Sequence, residues 1–313
     1  MKKVLVTGAS GRIGRHVIPL LLERGYLVTA AVRRTPPAAS WANEVQPVPL
    51  SFPAQEPLAQ VLDGVHTVVH LAGIMPPASD DEVFGTNIQG TYQLLQAVAA
   101  LPDKPRVLFA SSDATYCTGW SLGSYSSPIA EGHAGQHPTV FYGLSKVLGE
   151  RMCLWYEEMH KIPIVRLRFV WTLEASEILD LFLKAPYKDF LFDEDRGKWD
   201  GDVVAVPLEE DGHPFTEHVC DVRDAAQAVV LAMENDAATG QAFNVAGPEP
   251  FRYTDVGPKL AAKTGLPALE ARCRGIHSYS LSIDRARNLL GYRPKYGVMD
   301  SLEEALAKAK SEQ

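Results

Sequence analysis

"VLVTGASGRIGRHVIPLL", residues 4–21, is typical of a β-strand, a glycine-rich turn and an amphipathic helix in succession. Gly8, Gly11 and Gly14 have the spacing G-x-x-G-x-x-G, one residue longer in its first gap than the usual dinucleotide fingerprint. Glycine permits a tight turn and a close approach of the backbone, and the helix N-terminus then faces a pyrophosphate. Ordinary strand-to-helix turns also contain glycine, but three glycines directly after an apolar strand favour a dinucleotide site.

The same alternation of apolar strands and amphipathic helices continues as far as residue 170. The predicted strands cover 3–8, 27–32, 45–50, 67–73, 106–112 and 163–170, and the predicted helices cover 12–25, 81–100 and 140–160. The strands are apolar on both faces, as expected when helices cover both sides of a parallel sheet. The sequence therefore predicts an α/β fold with a doubly wound parallel sheet (Rossmann).

The C-terminal part has a different pattern, because residues 172–220 are aromatic, charged and rich in turn residues, with no clear period. A helix at 222–235 and a strand at 242–247 are expected to return to the main sheet. Further helices are predicted over 252–264 and 301–310. We therefore expect a Rossmann domain over 1–170 with 222–247, and a small C-terminal substrate-binding lobe over 171–221 and 248–313.

The composition argues against several classes of partner. The chain has 313 residues and a formal net charge of −8, which disfavours nucleic acid and anionic membrane surfaces. Cys117, Cys153, Cys220 and Cys273 lie far apart with no C-x-x-C pair, so reduced thiols in a cytoplasmic protein are expected. No signal peptide and no membrane span is predicted. The histidines form no H-E-x-x-H arrangement, and no metal site is predicted.

The end of the second strand bears on the choice between NAD and NADP. In "TAAVRRTPP", residues 29–37, Val32 is followed by Arg33 and Arg34, and no acidic residue is present to bind the adenosine ribose hydroxyls. Arg33, together with Arg12 from the glycine turn, favours NADP, with NAD possible. The alternative is a solvated arginine pair at a strand exit.

"TVFYGLSKVLGE", residues 139–150, places Tyr142 and Lys146 four residues apart on a predicted helix. Side chains at i and i+4 share one helix face, so these two are neighbours. The pattern Tyr-x-x-x-Lys occurs by chance in many helices. Its value as an acid–base pair therefore depends on the rest of the chain.

Eight segments along the chain resemble the landmarks of one known family. In the first half they are "TGASGRIG" (7–14), "VVHLAG" (68–73), "TNIQGTYQLLQAV" (86–98, with Asn87), "FASSDATYC" (109–117) and "FYGLSK" (141–146). In the C-terminal third they are "VRDAAQAVVLAME" (222–234), "AFNVAG" (242–247) and "ARNLLGYRP" (286–294). Their order resembles that of the extended, epimerase/dehydratase-like branch of the short-chain dehydrogenase/reductase superfamily, over nearly the whole chain.

The resemblance implies catalytic roles for Ser112, Tyr142 and Lys146. Tyr142 would be the acid–base, Lys146 its electrostatic partner and a ribose ligand, and Ser112 a hydrogen-bond donor to the substrate oxygen. A free tyrosine has a pKa of about 10, and a nearby ammonium and a cationic nicotinamide are expected to lower it. Tyr116 is expected to pack in the substrate loop. The implied cofactor-binding residues are Gly8, Gly11, Arg12, Ile13, Gly14, Arg33, Leu71, Ala72, Gly73, Tyr142 and Lys146, and the substrate-binding residues are Ser112, Asp113 and Phe169.

Three departures from the family pattern concern the substrate. Dehydratases of the branch carry an acidic pair where this chain has Asp113 and Ala114. Sugar-nucleotide members carry an asparagine where this chain has Phe169, and tend to carry an arginine where it has Glu217. These changes disfavour dehydration and a diphosphate, and favour a small sugar, sugar acid or ketone. Four aromatic residues could line the pocket or pack in the core: Trp120, Trp171, Phe182 and Tyr187.

Three functional hypotheses follow. The first is an NADP-preferring oxidoreductase acting on a small hydroxyl or carbonyl compound. The second is a sugar or nucleotide-sugar epimerase with tightly held NAD, and the third is a non-catalytic NAD(P)-binding regulatory protein. The resemblance also implies a homodimer formed through the helices at 81–100 and 140–160.

Overall fold

The computed structural model describes residues 1–33, 41, 43–55, 57–116, 125, 128–133 and 138–311. The strands are β1 (Lys3–Thr7), β2 (Leu27–Val32), β3 (Gln46–Pro49), β4 (Val65–His70), β5 (Arg106–Ser112), β6 (Ile164–Phe169), β7 (Trp171–Leu173), β8 (Val204–Leu208), β9 (Thr216–Glu217), β10 (Val219–Asp221), β11 (Ala242–Val245), β12 (Phe251–Arg252) and β13 (Ala268–Arg272). The α-helices are α1 (Gly14–Glu23), α2 (Ala59–Leu62), α3 (Asp80–Val83), α4 (Gly90–Ala99), α5 (Phe141–His160), α6 (Ala175–Leu183), α7 (Val222–Glu234), α8 (Tyr253–Thr264) and α9 (Val298–Ser311).

The central sheet has seven strands in the order β3-β2-β1-β4-β5-β6-β11, and all neighbouring strands are parallel. The chain order therefore reverses between β1 and β4. In open α/β sheets, ligands bind outside the carboxyl ends of the strands at such a switch point. The predicted doubly wound parallel sheet is confirmed.

Both faces of the sheet are covered, as the uninterrupted apolar strands predicted. Val4 and Val6 of β1 belong to the hydrophobic cluster that includes residues of α1 and α7. Leu5, between them, belongs to the opposite cluster with residues of α4 and α5. Because successive strand side chains point to opposite faces, this three-residue run packs against two helix layers.

The C-terminal part forms a lobe with a hydrophobic cluster of its own, which includes Phe182, Phe215, Tyr253, Leu260 and Leu302. Three two-stranded sheets accompany it: β7 with β10, β8 with β13 and β9 with β12. As expected, α7 packs against α1 and β11 extends the main sheet beside β6. The segment 172–220, without a period in the sequence, contains α6 and four strands of two to five residues, which are too short to show one.

No helix in the described part of the chain is both long and apolar enough to cross a membrane.

Candidate active site

The glycine turn after β1 is packed backbone against backbone. Gly8 has φ +69°, and a Cβ there would lie 2.8 Å from the amide nitrogen of Ala72, just after β4. A Cβ on Gly14 would lie 2.3 Å from the carbonyl oxygen of Gly8, and Gly11 donates its N–H to that same oxygen at 2.9 Å. Glycine is therefore required at position 8 by its positive φ and by the close approach of Ala72, and at position 14 because a Cβ has no room there.

The first turn of α1 is suited to an anion. Its N-cap residue, Ile13, has no side-chain cap, and the first turn contains no acidic residue. Within the described residues, the backbone N–H groups of Arg12 and Ile13 donate no hydrogen bond. Unsatisfied N–H groups at a helix N-terminus, backed by the helix dipole, bind phosphate groups, so this turn fits the pyrophosphate of a dinucleotide.

The floor of the site is a chain of buried hydrogen bonds. Ala72 N–H donates to Thr7 Oγ1 at 3.2 Å, and Thr7 Oγ1 lies 2.8 Å from His70 Nδ1. His70 Nε2 lies 3.2 Å from Thr91 Oγ1, whose own proton goes to the Asn87 carbonyl at 2.6 Å. Because the Thr91 proton is used in this way, His70 donates through Nε2 and accepts through Nδ1. With His70 neutral, every donor and acceptor in this series of hydrogen bonds has a partner.

Asn87 holds the segment that follows β4. Its Oδ1 accepts from Ile74 N–H at 2.9 Å, and its Nδ2 donates to the Ile74 carbonyl at 2.8 Å and to Ser145 Oγ at 3.1 Å. Asn87 lies in a π-helical turn, Phe84–Gln89, that joins α3 to α4 where the sequence predicted one helix. Such turns are frequent at functional sites. In the sequence Asn87 was only a landmark, and the signal that could have marked it is an asparagine in the interior of a predicted helix, where this residue is disfavoured.

Ser112, Tyr142 and Lys146 are brought together at the carboxyl end of β5. The hydroxyls of Ser112 and Tyr142 share a hydrogen bond. Lys146 Nζ donates to the Ala110 carbonyl at 2.8 Å and lies 5.7 Å from the centre of the Tyr142 ring. Helix α5 can approach this closely because of Gly149, where a Cβ would lie 2.5 Å from Phe109 Cζ.

The pKa of Tyr142 differs from the expected direction. Burial, with a smaller effect from the charge of Asp113, raises it to about 12, although the hydrogen bond with Ser112 lowers it. Burial also lowers the pKa of Lys146 to about 8. For the protein without its cofactor the pKa is raised rather than lowered, because burial outweighs the hydrogen bond with Ser112, and lowering by a bound cationic nicotinamide stays a prediction. Tyr142 is therefore protonated at neutral pH and equipped to act as an acid.

The predicted substrate-binding residues occupy adjacent strand ends. Ser112 Oγ donates to Asp113 Oδ1 at 3.0 Å, and the Tyr279 hydroxyl also hydrogen-bonds Asp113. Phe169 lies opposite Ser112 in the register of β5 and β6, but only 6% of its surface is exposed. Phe169 is therefore a buried apolar residue beside Ser112. Tyr279 is a neighbour of Asp113 that the sequence did not indicate.

The predicted pocket aromatics are mostly core residues. Phe182 and Tyr187 are buried in the lobe cluster, and Trp171 packs partly buried against it. Trp120 lies outside the described residues. Tyr116, expected in the substrate loop, is completely buried, donates its hydroxyl to Asn244 Oδ1 at 2.8 Å, and belongs to a core cluster.

A buried ion pair ties the catalytic helix to the sheet. Glu150, one turn beyond Lys146 on α5, accepts Arg168 Nε at 2.7 Å and Nη2 at 2.6 Å. Ser111, next to Ser112, also donates to Glu150 Oε1 at 2.6 Å. Because these partners lie on β5 and β6, Glu150 holds α5 against the ends of the two strands. It therefore positions Tyr142 and Lys146, which lie on the same helix.

The two arginines assigned to NADP have different surroundings. Arg12 is paired with Glu177 of α6, with 2.5 Å between Nη2 and Oε1. Arg33 is exposed at the end of β2 and forms no hydrogen bond or ion pair with another described residue. Arg34 lies outside the described residues. Arg33 is therefore the available cation, while Arg12 is already neutralised.

Residues 119–123, "GWSLG", match the G-x-S-x-G pattern of serine hydrolases. In that fold the serine stands on a sharp turn directly after a strand. Here β5 ends at Ser112, and a 3₁₀ turn over Asp113–Tyr116 precedes the segment. The pattern itself lies outside the described residues.

His70 makes stability depend on pH. Burial and, to a smaller extent, the charge of Lys146 lower its pKa to about 3. Since an unfolded histidine has a pKa of about 6.5, acid protonates the unfolded state first. The contribution of a neutral His70 is therefore complete above pH 6.5 and is lost as the pH falls from 6.5 towards 3.

We expect His70→Gln to reduce this acid sensitivity. When the pH falls from 7 to 5, protonation of His70 in the unfolded state should lower the unfolding free energy of the wild type by about 2 kcal/mol. In the variant this part of the pH-dependent loss should be absent. Urea unfolding at the two pH values measures the difference, with the exposed His213→Gln as control. An identical pH dependence in wild type and His70→Gln would contradict the assignment.

Comparison with known proteins places these features in one family. A sequence model of the NAD dependent epimerase/dehydratase family matches residues 4–173. A solved short-chain dehydrogenase/reductase superfamily protein from Agrobacterium tumefaciens, with bound NAD, superposes with a TM-score of 0.85 and 29% identity over 99% of this chain and 98% of that one.

Curated relatives include both dehydrogenases and an epimerase. L-arabinose 1-dehydrogenase (NAD(P)(+)) of Haloferax volcanii is 30% identical over 57% of this chain and 70% of its own length. A uronate dehydrogenase of Pseudomonas syringae is 27% identical, and the match spans 53% of this chain and only 58% of the relative. A UDP-glucose 4-epimerase of Halalkalibacterium halodurans is 26% identical over 96% of this chain and 93% of its own length. The chain is thus an NAD(P)-dependent enzyme that belongs to the NAD dependent epimerase/dehydratase family, in the extended branch of the short-chain dehydrogenase/reductase superfamily.

Proposed function

We propose that the protein is an NAD(P)-dependent oxidoreductase acting on a small hydroxyl or carbonyl compound such as a sugar, sugar acid or ketone. The observation that carries this proposal is the meeting of Ser112, Tyr142 and Lys146 at the carboxyl end of β5, in the same sheet whose β1 carries the glycine turn. A regulatory protein without turnover has no need of a proton donor that is hydrogen-bonded to a serine hydroxyl.

The proposed chemistry divides between proton and hydride. A bound nicotinamide supplies or accepts the hydride. Tyr142, protonated at neutral pH, donates its proton to a substrate carbonyl oxygen, or takes the proton of a hydroxyl in the reverse direction. Ser112 turns its single proton from Asp113 to the same oxygen and donates a hydrogen bond to it, and Lys146 contributes positive charge near the phenol, which favours its ionised form.

A small substrate is supported by the residues around Ser112. Asp113 is followed by Ala114 rather than a second acid, Phe169 is a buried apolar residue, and Glu217 is buried on β9. None of these offers a donor for a diphosphate. The relatives named L-arabinose 1-dehydrogenase and uronate dehydrogenase have names that mention a sugar or a sugar acid without a nucleotide, which supports this proposal.

The full-length similarity to a UDP-glucose 4-epimerase favours epimerisation as the second candidate. The two candidates differ in net cofactor turnover, because an epimerase returns its hydride to the substrate. Accumulation of NAD(P)H with a non-nucleotide sugar would support the oxidoreductase. Conversion of a UDP-sugar without net NAD(P)H would support the epimerase.

We also propose a preference for NADP through Arg33. Arg33→Ala should weaken NADP binding by about tenfold or more, the cost of one charge-assisted hydrogen bond, and leave NAD binding nearly unchanged. Titration of both cofactors by fluorescence measures the ratio of the two affinities. Arg24→Ala, at the far end of α1, is the matched control. An unchanged ratio in Arg33→Ala would rule out this role.

The proposed assembly is a homodimer through the outer faces of α4 and α5. A cavity of about 740 Å³ lies there, away from the catalytic residues, and its lining includes Tyr92, Leu148 and Trp155. Trp155 is 53% exposed and Met159 is 60% exposed on the same face of α5. Adjoining apolar side chains of this kind are typical of a protein interface, and self-association is the commonest way to cover them.

Trp155→Glu should convert this dimer to a monomer, because a charge would then be buried at its centre. Sedimentation equilibrium measures the mass of each species. Leu289→Glu, which alters another apolar residue that is 44% exposed, should remain dimeric. A wild type that is monomeric at all concentrations would refute the proposal.

We propose that one part of the chain binds the cofactor and the other binds the substrate, as predicted from the sequence. Residues 1–170 with 222–247 would bind the cofactor, and residues 171–221 with 248–313 would bind the substrate. The separate hydrophobic cluster of the lobe supports this division. A cytoplasmic location is also proposed, supported by the free, buried thiols of Cys153, Cys220 and Cys273.

A further inference from the structure

Ser112 and Tyr142 are joined along the chain by a long connection, residues 113–141. A connection of this length does not by itself fix the distance between its ends. The hydrogen bond between the two hydroxyls therefore depends on contacts that hold the end of β5 and the start of α5 in place. Two described parts of the connection, 113–116 and 128–133, are bound by the side chain of Arg168 on β6.

Arg168 is a buried cation whose three guanidinium nitrogens all donate hydrogen bonds. Nε and Nη2 donate to the two carboxylate oxygens of Glu150 on α5, at 2.7 and 2.6 Å. Nη1 donates to the Tyr116 hydroxyl oxygen at 2.5 Å and to the Glu131 carbonyl at 3.0 Å. The side chains of Arg168 and Glu150 are each only 6% exposed. One planar fork therefore binds α5 and both described parts of the connection.

Asn244 of β11 strengthens the same connection. Its backbone N–H donates to Glu131 Oε1 and its Nδ2 donates to the Ile129 carbonyl, both at 2.9 Å. Its Oδ1 accepts the Tyr116 hydroxyl at 2.8 Å. Burial raises the pKa of Tyr116 to about 12, so this hydroxyl keeps the proton that the bond needs. Because Arg168 lies opposite Asn244 in the register of β6 and β11, the two residues hold the connection together.

We propose, resting on the oxidoreductase function above, that Arg168 is a positioning residue for the hydrogen bond between Ser112 and Tyr142. Tyr116 ends the 3₁₀ turn directly after Ser112, and Glu150 lies about two turns beyond Tyr142 on α5. Because one guanidinium binds both, it sets the position of α5 against the end of β5. A displacement of about 1 Å at a reacting group can slow a reaction about a hundredfold. Arg168 thus acts on the rate through the two hydroxyls and not at the reacting atoms.

Arg168→Lys keeps the charge but loses the fork, so it cannot bind all the partners of the arginine at once. NAD(P)H formation is followed with the most active compound from a panel of free sugars, sugar acids and ketones. The kcat should fall by about tenfold or more, while KM and the dissociation constant of the cofactor stay within about threefold. Arg166→Lys is the matched control. Arg166 lies on the same face of β6, is also buried, and donates to the Gly240 carbonyl, so this variant should keep the wild-type kcat.

Ser112→Ala separates positioning from a general loss of structure. If Arg168 acts on the contact between Ser112 and Tyr142, then adding Arg168→Lys to Ser112→Ala should lower kcat by less than about threefold. A full tenfold loss in that background, or an unchanged kcat in Arg168→Lys alone, would overturn the proposal.

If Arg168→Lys does not fold, Tyr116→Phe gives the same comparison, because it removes one hydroxyl from the network. Its kcat should fall by about threefold in the wild-type background and stay unchanged in the Ser112→Ala background. An equal loss in both backgrounds would overturn the proposal. If the wild type turned over no compound of the panel, the oxidoreductase function would fail and this proposal with it. Wild-type turnover with an unaffected Arg168→Lys would overturn the role of Arg168 alone, so the two failures are distinguishable.

Discussion

Tyr142→Phe is expected to lower kcat by about a thousandfold while NAD(P) binding is retained. The substitution removes only the hydroxyl, and general acid–base catalysis by a positioned side chain contributes about 10²–10⁴-fold. Lys146 and Ser112 remain in place, because Lys146 is held by the Ala110 carbonyl and Ser112 by Asp113 and the Ala114 N–H. The loss should therefore appear in kcat and leave the dissociation constant of the cofactor within a few fold.

Tyr156→Phe is the matched control for this experiment. Tyr156 lies on the same helix, and its ring packs in the cluster behind the sheet, away from Ser112. Steady-state kinetics and cofactor titration on both variants separate loss of chemistry from loss of structure. Residual turnover of Tyr142→Phe within tenfold of wild type would mean that another group moves the proton.

Gly14→Ala is expected to abolish cofactor binding at ordinary concentrations. The added Cβ would lie 2.3 Å from the Gly8 carbonyl oxygen and 2.9 Å from the Ala9 carbonyl oxygen, and both are backbone atoms. The start of α1 must then move away from the turn. Loss of two charge-assisted hydrogen bonds to the pyrophosphate, at about 1.5–3 kcal/mol each, corresponds to about a hundredfold or more in affinity. Overpacking should also cost about 1–3 kcal/mol of stability.

The control for Gly14→Ala is Gly132→Ala, because a Cβ at Gly132 meets no described atom within 4 Å. Cofactor titration and urea unfolding should leave this control close to wild type. If Gly14→Ala bound NAD or NADP as tightly as wild type, the turn would not form the pyrophosphate site.

The features that sequence reasoning found are those with short sequence spacing. Gly8 and Gly14 lie on one turn, and Tyr142 and Lys146 on one helix face, so their geometry follows from local structure. The main sheet was predictable for the same reason, because strands buried on both faces are uniformly apolar. The switch point between β1 and β4 then follows from the strand order.

The features that it missed depend on contacts between distant segments. Tyr279 reaches Asp113, and Glu177 neutralises Arg12, from positions more than 150 residues away. The paired strands β8 and β13 are five residues each and belong to segments far apart in the chain, so neither shows a period by itself. The raised pKa of Tyr142 was also missed, because the sequence does not show which groups surround the phenol.

The measurement that bears most directly on the central claim is NAD(P)H formation with a panel of free sugars, sugar acids, ketones and UDP-sugars. Wild type should produce NAD(P)H with at least one non-nucleotide compound, and Tyr142→Phe should fail to do so under the same conditions. Interconversion of a UDP-sugar without net NAD(P)H, and no turnover of any smaller compound, would contradict the account.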